Sequence, residues 1–147
     1  MPTRTARTAW DGGLQDGSGQ VELTSSGLGT FDVSFPKRAS DDGGGATNPE
    51  ELIGAAHSAC YAMSLAGQLG RAGATPHSMD VTADVTVEMH PEKGLAITTV
   101  ALKVRAEVEG IDADGFAEVA AAAKLSCPVS KALAGVDITL DAALVTA

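Results

Sequence analysis

The stretch that most constrains the fold is "TNPEELIGAAHSACYAMSLAGQLGRAG", residues 47–73. Thr47 or Asn48 can cap a helix here, Pro49 suits its first position, and Glu50 and Glu51 favour the positive end of the helix dipole. Apolar residues then continue on every side to about Leu69, where Gly70 and Gly73 close the run. A helix apolar all round has to be covered all round. It forms either the centre of the fold or a subunit interface. The run also holds His57, Gln68, two serines and three glycines between residues 52 and 70, which suits a buried soluble helix better than a membrane span.

What packs on this helix is legible from period and punctuation. The first forty residues read as a strand meander ("TARTAW", "GQVELTSS", "GTFDVSF") broken by "DGGLQDGSG" and "SGLG". Residues 36–46, "PKRASDDGGGA", read as a flexible polar loop whose three successive glycines do not suit a helix. Residues 79–89 and 95–108 alternate with period two and predict a hairpin of two long strands around "HPEKG". "DADGFAEVAAAAKLSC" predicts a helix capped by Asp112 or Asp114, and "CPVSKALAG" a short helix with Pro128 in its first turn. "VDITLDAALV" closes the chain as a strand. Strands and helices in runs, without strict alternation, give an α+β fold with a mainly antiparallel sheet. With 147 residues and no repeat or linker, a single domain over 1–147 is expected.

Charge and cysteine content bound the chemistry. The net charge is −9 and the ten Lys and Arg are scattered, which argues against nucleic acid or an anionic membrane as partner. "MPTRTARTAWDGGLQDG" has no apolar core of the kind a secretory signal needs, so a cytoplasmic location is expected. The two cysteines, Cys60 and Cys127, are then expected to be reduced at rest, with any disulfide between them redox-active rather than structural.

Two motifs, "TNPEELIGAAHSAC" at the head of the long helix and "CPVSKAL" near the C-terminus, resemble the OsmC/Ohr family of peroxide-detoxifying thiol enzymes, and its OsmC branch in particular. "GLAITTVALKV" and "ITLDAAL" follow the same order, so the resemblance covers most of the chain. Ser126 departs from it, standing before Cys127 where glycine is usual. The resemblance implies an OsmC-like fold with a long buried central helix, an intertwined homodimer, and reduction of organic hydroperoxides, with H2O2 reduced less well. Carried over by position, Cys60 attacks the peroxide and Cys127 resolves the sulfenic acid. Arg38 is the active-site arginine and Glu50 its carboxylate partner. An external dithiol, of which a lipoyl type is one, re-reduces the pair.

The chemistry needs a thiolate, positive charge or donors for the leaving alkoxide, and a second thiol to discharge the sulfenic acid. It demands neither metal nor organic cofactor. Local electrostatics nevertheless point the other way round. Cys127 precedes a helix start, where backbone N–H groups favour a thiolate, whereas Cys60 lies about three turns into its helix among apolar neighbours. Cys60 as nucleophile therefore requires an imported cation, and Arg38 is the candidate. Glu50 stands ten residues before Cys60, roughly 15 Å along a helix axis, so the pair is expected to reach the thiol from the other subunit.

Each residue also has a plainer reading. Cys60 and Cys127 can be inert buried thiols. His57, three residues before Cys60, can act as a base, but a packed histidine satisfied by a backbone group is the commoner outcome. Glu51 reads as a dipole-complementing surface residue and Met63 as core. His77 and His90 have no ligand spacing around them, and a zinc site of Cys60, His57 and Cys127 offers only three ligands. "DDGGG" lacks the strand-then-helix setting of a phosphate loop. The rival functions are a redox-sensing or small-ligand-binding dimer without multiple turnover, and a structural dimer with unreactive thiols.

Overall fold

The computed structural model describes residues 1–146 and divides them into two compact units, Met1–Leu52 and Ile53 onward. The first unit opens with the expected meander. Strands β1 (Arg7–Asp11), β2 (Ser18–Glu22) and β3 (Thr30–Val33) pair antiparallel in sequence order. Part of the expected loop is instead a helical turn, α1 (Phe35–Arg38). Ser34 caps it, its hydroxyl accepting the Lys37 N–H at 3.3 Å, and Pro36 fits its first turn, where no N–H is needed. Gly43–Gly45 close a tight turn with φ of 67°, 56° and 74°, a left-handed conformation that side chains disfavour. The expected open loop is thus, at the glycines, a short 3-10 turn, with Asp42 accepting the Gly44 N–H at its start.

The long helix α2 runs from Pro49 to Arg71, and the division between units falls within it. Asn48 is the cap: its Oδ1 accepts the Glu51 N–H at 2.8 Å, while Thr47 Oγ1 donates to the Glu51 carboxylate at 2.6 Å. At the other end Ala74 N–H reaches Leu69 C=O (3.0 Å) and Gly73 N–H reaches Gly70 C=O (3.1 Å), with Gly73 at φ 78°. This is the Schellman closure that the two glycines predict.

In the second unit β4 (Thr75–His90) and β5 (Gly94–Glu109) form the long antiparallel hairpin. Helices α3 (Ala113–Ser126) and α4 (Pro128–Ala132) then carry the chain to β6 (Asp137–Leu144), which pairs parallel to β5. The sheet is therefore mostly antiparallel, with β5 in the middle, and the fold class is α+β. Asp112, rather than Asp114, caps α3 by accepting the Gly115 N–H at 2.7 Å. The alternation read in β5 buries Val100, Leu102, Val104 and Ala106, which share one core with Tyr61, Leu65 and Leu69 of α2 and with Phe116, Ala120 and Ala123 of α3. Each such Leu contributes about 2 kcal/mol over an exposed one.

Burial of α2 is one-sided in the single chain. His57, Tyr61, Leu65 and Leu69 line the covered stripe, while Ala55, Ala59, Met63 and Gly67 on the other side are exposed, Met63 at 74%. Among the described residues no helix is long and apolar enough to cross a membrane.

Candidate active site

The second unit brings Cys60 and Cys127 together. Cys60 is half-buried in the middle of α2, where the helix's own N–H groups are occupied by carbonyls one turn back. Cys127 is fully buried at the junction of α3 and α4: its N–H goes to Ala123 C=O at 2.9 Å and its C=O takes the Lys131 N–H at 3.0 Å. Both thiols are free, and they lie close enough for each to shift the other's ionisation. Each element is set by sequence. Pro128 cannot continue the hydrogen-bonding of α3, so the chain turns at Cys127 and restarts as α4.

The two sulfurs lie in opposite fields. Burial pushes the Cys60 thiol up; the Val129 N–H pulls it back, but its hydrogen bond to Cys127 and that neighbour's charge push it further, and the net direction is up. Burial also pushes Cys127 up. There, however, the Ser130 N–H, the Ser130 hydroxyl, the Cys60 thiol and the Val129 N–H all favour the anion, and together they bring Cys127 below the usual thiol range. None of these donors is a full capping hydrogen bond to the side chain; their number decides the sign. Of the two, Cys127 is therefore the more acidic thiol and Cys60 the one that holds its proton longer.

The neighbours of this pair are only partly those the sequence suggests. His57 is fully buried and packed, but its partner is the Ser130 hydroxyl, 2.8 Å from Nε2, rather than a backbone group; burial lowers its pKa. Ser130 went unread because its partner lies 73 residues away. The available signal was its place three residues after Cys127 in a capping register, which turns its N–H and hydroxyl toward the preceding residue's side chain. Tyr61 donates to Ala120 C=O at 3.0 Å, and burial and the Cys127 charge push its phenol up. Ser126, the departure from the family pattern, accepts from Gln68 Nε2 at 3.2 Å and donates to Ala123 C=O at 3.3 Å.

The first unit brings the other two candidates together. Arg38, at the end of α1, forks onto Glu50 in the first turn of α2, with Nε at 3.1 and 3.2 Å from the two carboxylate oxygens and Nη2 at 2.5 Å from Oε1. Both side chains are largely buried, so this is a rigid bidentate pair rather than a surface ion pair. Arg38 also lines a cavity of about 410 Å3 whose other walls include Trp10, Leu14, Val21, Phe35 and Leu52. Glu51 is exposed and His77 pairs with Glu109 at 3.1 Å at the surface. His90 Nδ1 accepts from the backbone of the β4–β5 turn. Among the described residues, no three His, Cys, Asp or Glu side chains are grouped to hold a metal ion.

Comparison with known proteins fits this geometry. The family described as OsmC-like protein matches residues 41–141. The chain is 46% identical over 132 residues to Peroxiredoxin OsmC of Escherichia coli (strain K12), covering 90% of each protein. Among solved structures, the organic hydroperoxide resistance protein OsmC of Legionella pneumophila aligns with TM-score 0.76 and 29% identity, covering 97% of this chain and 99% of that one. The organic hydroperoxide resistance protein OhrB of Bacillus subtilis aligns with TM-score 0.74 and 28% identity over 94% of this chain and 97% of that one. With paired thiols on this scaffold and that degree of identity, the chain belongs to the OsmC-like family, on its OsmC branch.

Proposed function

We propose that the chain is a cysteine-based peroxidase that reduces organic hydroperoxides to alcohols, and H2O2 less well. The observation that carries this reading is a pair of free thiols that shift each other's ionisation, in a chain 46% identical to a protein named peroxiredoxin.

The cycle begins with loss of the Cys60 proton. A guanidinium beside Cys60 favours the anion on that sulfur, and its proton passes to Cys127, the neighbour with which its ionisation is linked. The Cys60 thiolate then attacks one peroxide oxygen. A sulfur–oxygen bond forms, the oxygen–oxygen bond breaks, and the alkoxide leaves as alcohol after taking the Cys127 proton. Cys127, now a thiolate again, attacks the Cys60 sulfenic acid; the disulfide forms and hydroxide departs, protonated to water from solvent. An external dithiol reduces the disulfide in two exchange steps.

Arg38 is the proposed source of the cation, with Glu50 holding it rigid. In this reading both come from the second subunit of a homodimer, closed on the exposed Ala and Gly face of α2, and the two units of the chain work as one domain. The apolar cavity beside Arg38 supports an alkyl rather than a bare peroxide. A cytoplasmic location, expected from the sequence, belongs to the same proposal.

Turnover decides the matter. With cumene hydroperoxide and a dithiol, many turnovers per subunit are expected, abolished by Cys60→Ser. One stoichiometric oxidation and no more would make the protein a redox sensor, and thiols inert to peroxide would make it structural.

A further inference from the structure

One buried group has no part in that cycle. His57 is fully buried, its Nε2 is 2.8 Å from Ser130 Oγ, and its Nδ1 has no hydrogen-bond partner. Ser130, itself buried, stands in the first turn of α4, three residues after Cys127, and its hydroxyl favours the Cys127 anion. A hydroxyl has a single proton to give. Given to the sulfur, it obliges His57 to donate from Nε2, and Nδ1 is left as a bare lone pair. Given to His57, it deprives the sulfur of a donor and leaves an Nδ1–H buried with no acceptor. Buried N–H groups without partners are rarer than under-used acceptors, and donors aligned toward an anion strengthen one another. The geometry selects the first arrangement.

We propose that His57, acting through Ser130, is the positioning residue that keeps Cys127 ready as the resolving thiolate. The order is His57 Nε2–H to Ser130 Oγ, and Ser130 Oγ–H to Cys127 Sγ. It rests on the reading of Cys127 as the resolving thiol. The imidazole does not titrate in this role: burial keeps it neutral, and a fixed Nε2–H is all that is asked of it. The groups facing Cys127 are the Cys60 thiol, Tyr61, whose proton goes to Ala120, and the N–H groups of Val129 and Ser130. The two N–H groups are fixed by the backbone, whereas Ser130's hydroxyl can rotate away from the sulfur, and His57 removes that freedom. In the resolving step the anion so held attacks Cys60 sulfur as the S–O bond breaks; the departing hydroxide is protonated by solvent.

The test isolates Cys127 in a Cys60→Ser background and follows its alkylation by iodoacetamide against pH. His57→Leu and Ser130→Ala are each expected to move the midpoint up by about one pH unit, a tenfold loss of thiolate below it. His57→Gln, which can still donate from the Nε2 position, and Ser130→Thr are expected to restore most of it. Nitrogen NMR of the unsubstituted protein reads the tautomer without any risk to folding: a protonated Nε2 and bare Nδ1 on His57 are expected, and a protonated Nδ1 overturns the proposal. An unchanged midpoint in folded Ser130→Ala overturns it too. Should the midpoints move as expected while peroxide forms no Cys60–Cys127 disulfide in the unsubstituted chain, the relay stands and the resolving role of Cys127 falls.

Discussion

The middle of α2 and the junction of α3 with α4 each carry one cysteine, and they treat it in opposite ways. In mid-helix the backbone N–H groups are already taken, so Cys60 has burial and a neighbouring charge against it and only the Val129 N–H in its favour. At the junction the first turn of α4 has N–H groups with no helical partner, and two of them, with a hydroxyl and a thiol, favour the Cys127 anion. Burial raises both. The difference teaches that donor supply, not exposure, decides which sulfur ionises more readily: the more buried thiol is the more acidic.

The sharpest break of this comparison is chemical. Cys60→Ser is expected to reduce peroxidase turnover to the uncatalysed level, whereas Cys127→Ser should still allow one oxidation per subunit before stalling, as read by mass spectrometry of the trapped sulfenic acid. Next in size is the imported cation. Arg38→Ala should cost about 10²–10³ in kcat/KM, the loss typical of one well-placed donor to a developing anion. Arg38→Lys should recover little, because an ammonium cannot fork onto Glu50. A turnover rate indifferent to both would mean that Cys60 gets its charge elsewhere.

A pH series sharpens the comparison without touching catalysis. As pH rises in the absence of peroxide, Cys127 should ionise first, and its charge should delay Cys60 further; isotope-coded alkylation would find Cys127 about tenfold ahead for each pH unit between their midpoints. The reverse order would remove the need for Arg38 as a pKa-lowering group. The smallest effect expected is that of Tyr61→Phe, which loses a buried hydrogen bond to Ala120 and about 1 kcal/mol in urea unfolding. The alkylation order should not change.

Period and punctuation made much of the fold legible. The Val and Thr alternation of β4 and β5, the Asn48–Pro49 start of α2 and its Gly70–Gly73 close are local signals with local causes. The helical turn at Phe35–Arg38 was not legible, since four residues carry no period and Ser34 alone marks it. The apolar run of α2 was read correctly as apolar, but the sequence could not say which side the same chain covers and which it leaves exposed at Met63. At the site, resemblance supplied Cys60, Cys127, Arg38 and Glu50 as candidates, and helix-start chemistry alone singled out Cys127. The His57–Ser130 contact was not legible because its partners are 73 residues apart; only Ser130's place three residues after Cys127 hinted at a role.

The parallel pairing of β6 with β5 has a consequence for assembly. Cys127 sits in the crossover that joins these strands, so it meets Cys60 only when the most sequence-distant strand pairing of its unit is in place. Non-local closure of this kind is slow, and the reactive couple should be among the late contacts of folding. A nascent or half-folded chain would then carry two ordinary thiols, and quenched-flow thiol labelling during refolding should see Cys127 become fast-reacting only as native structure completes.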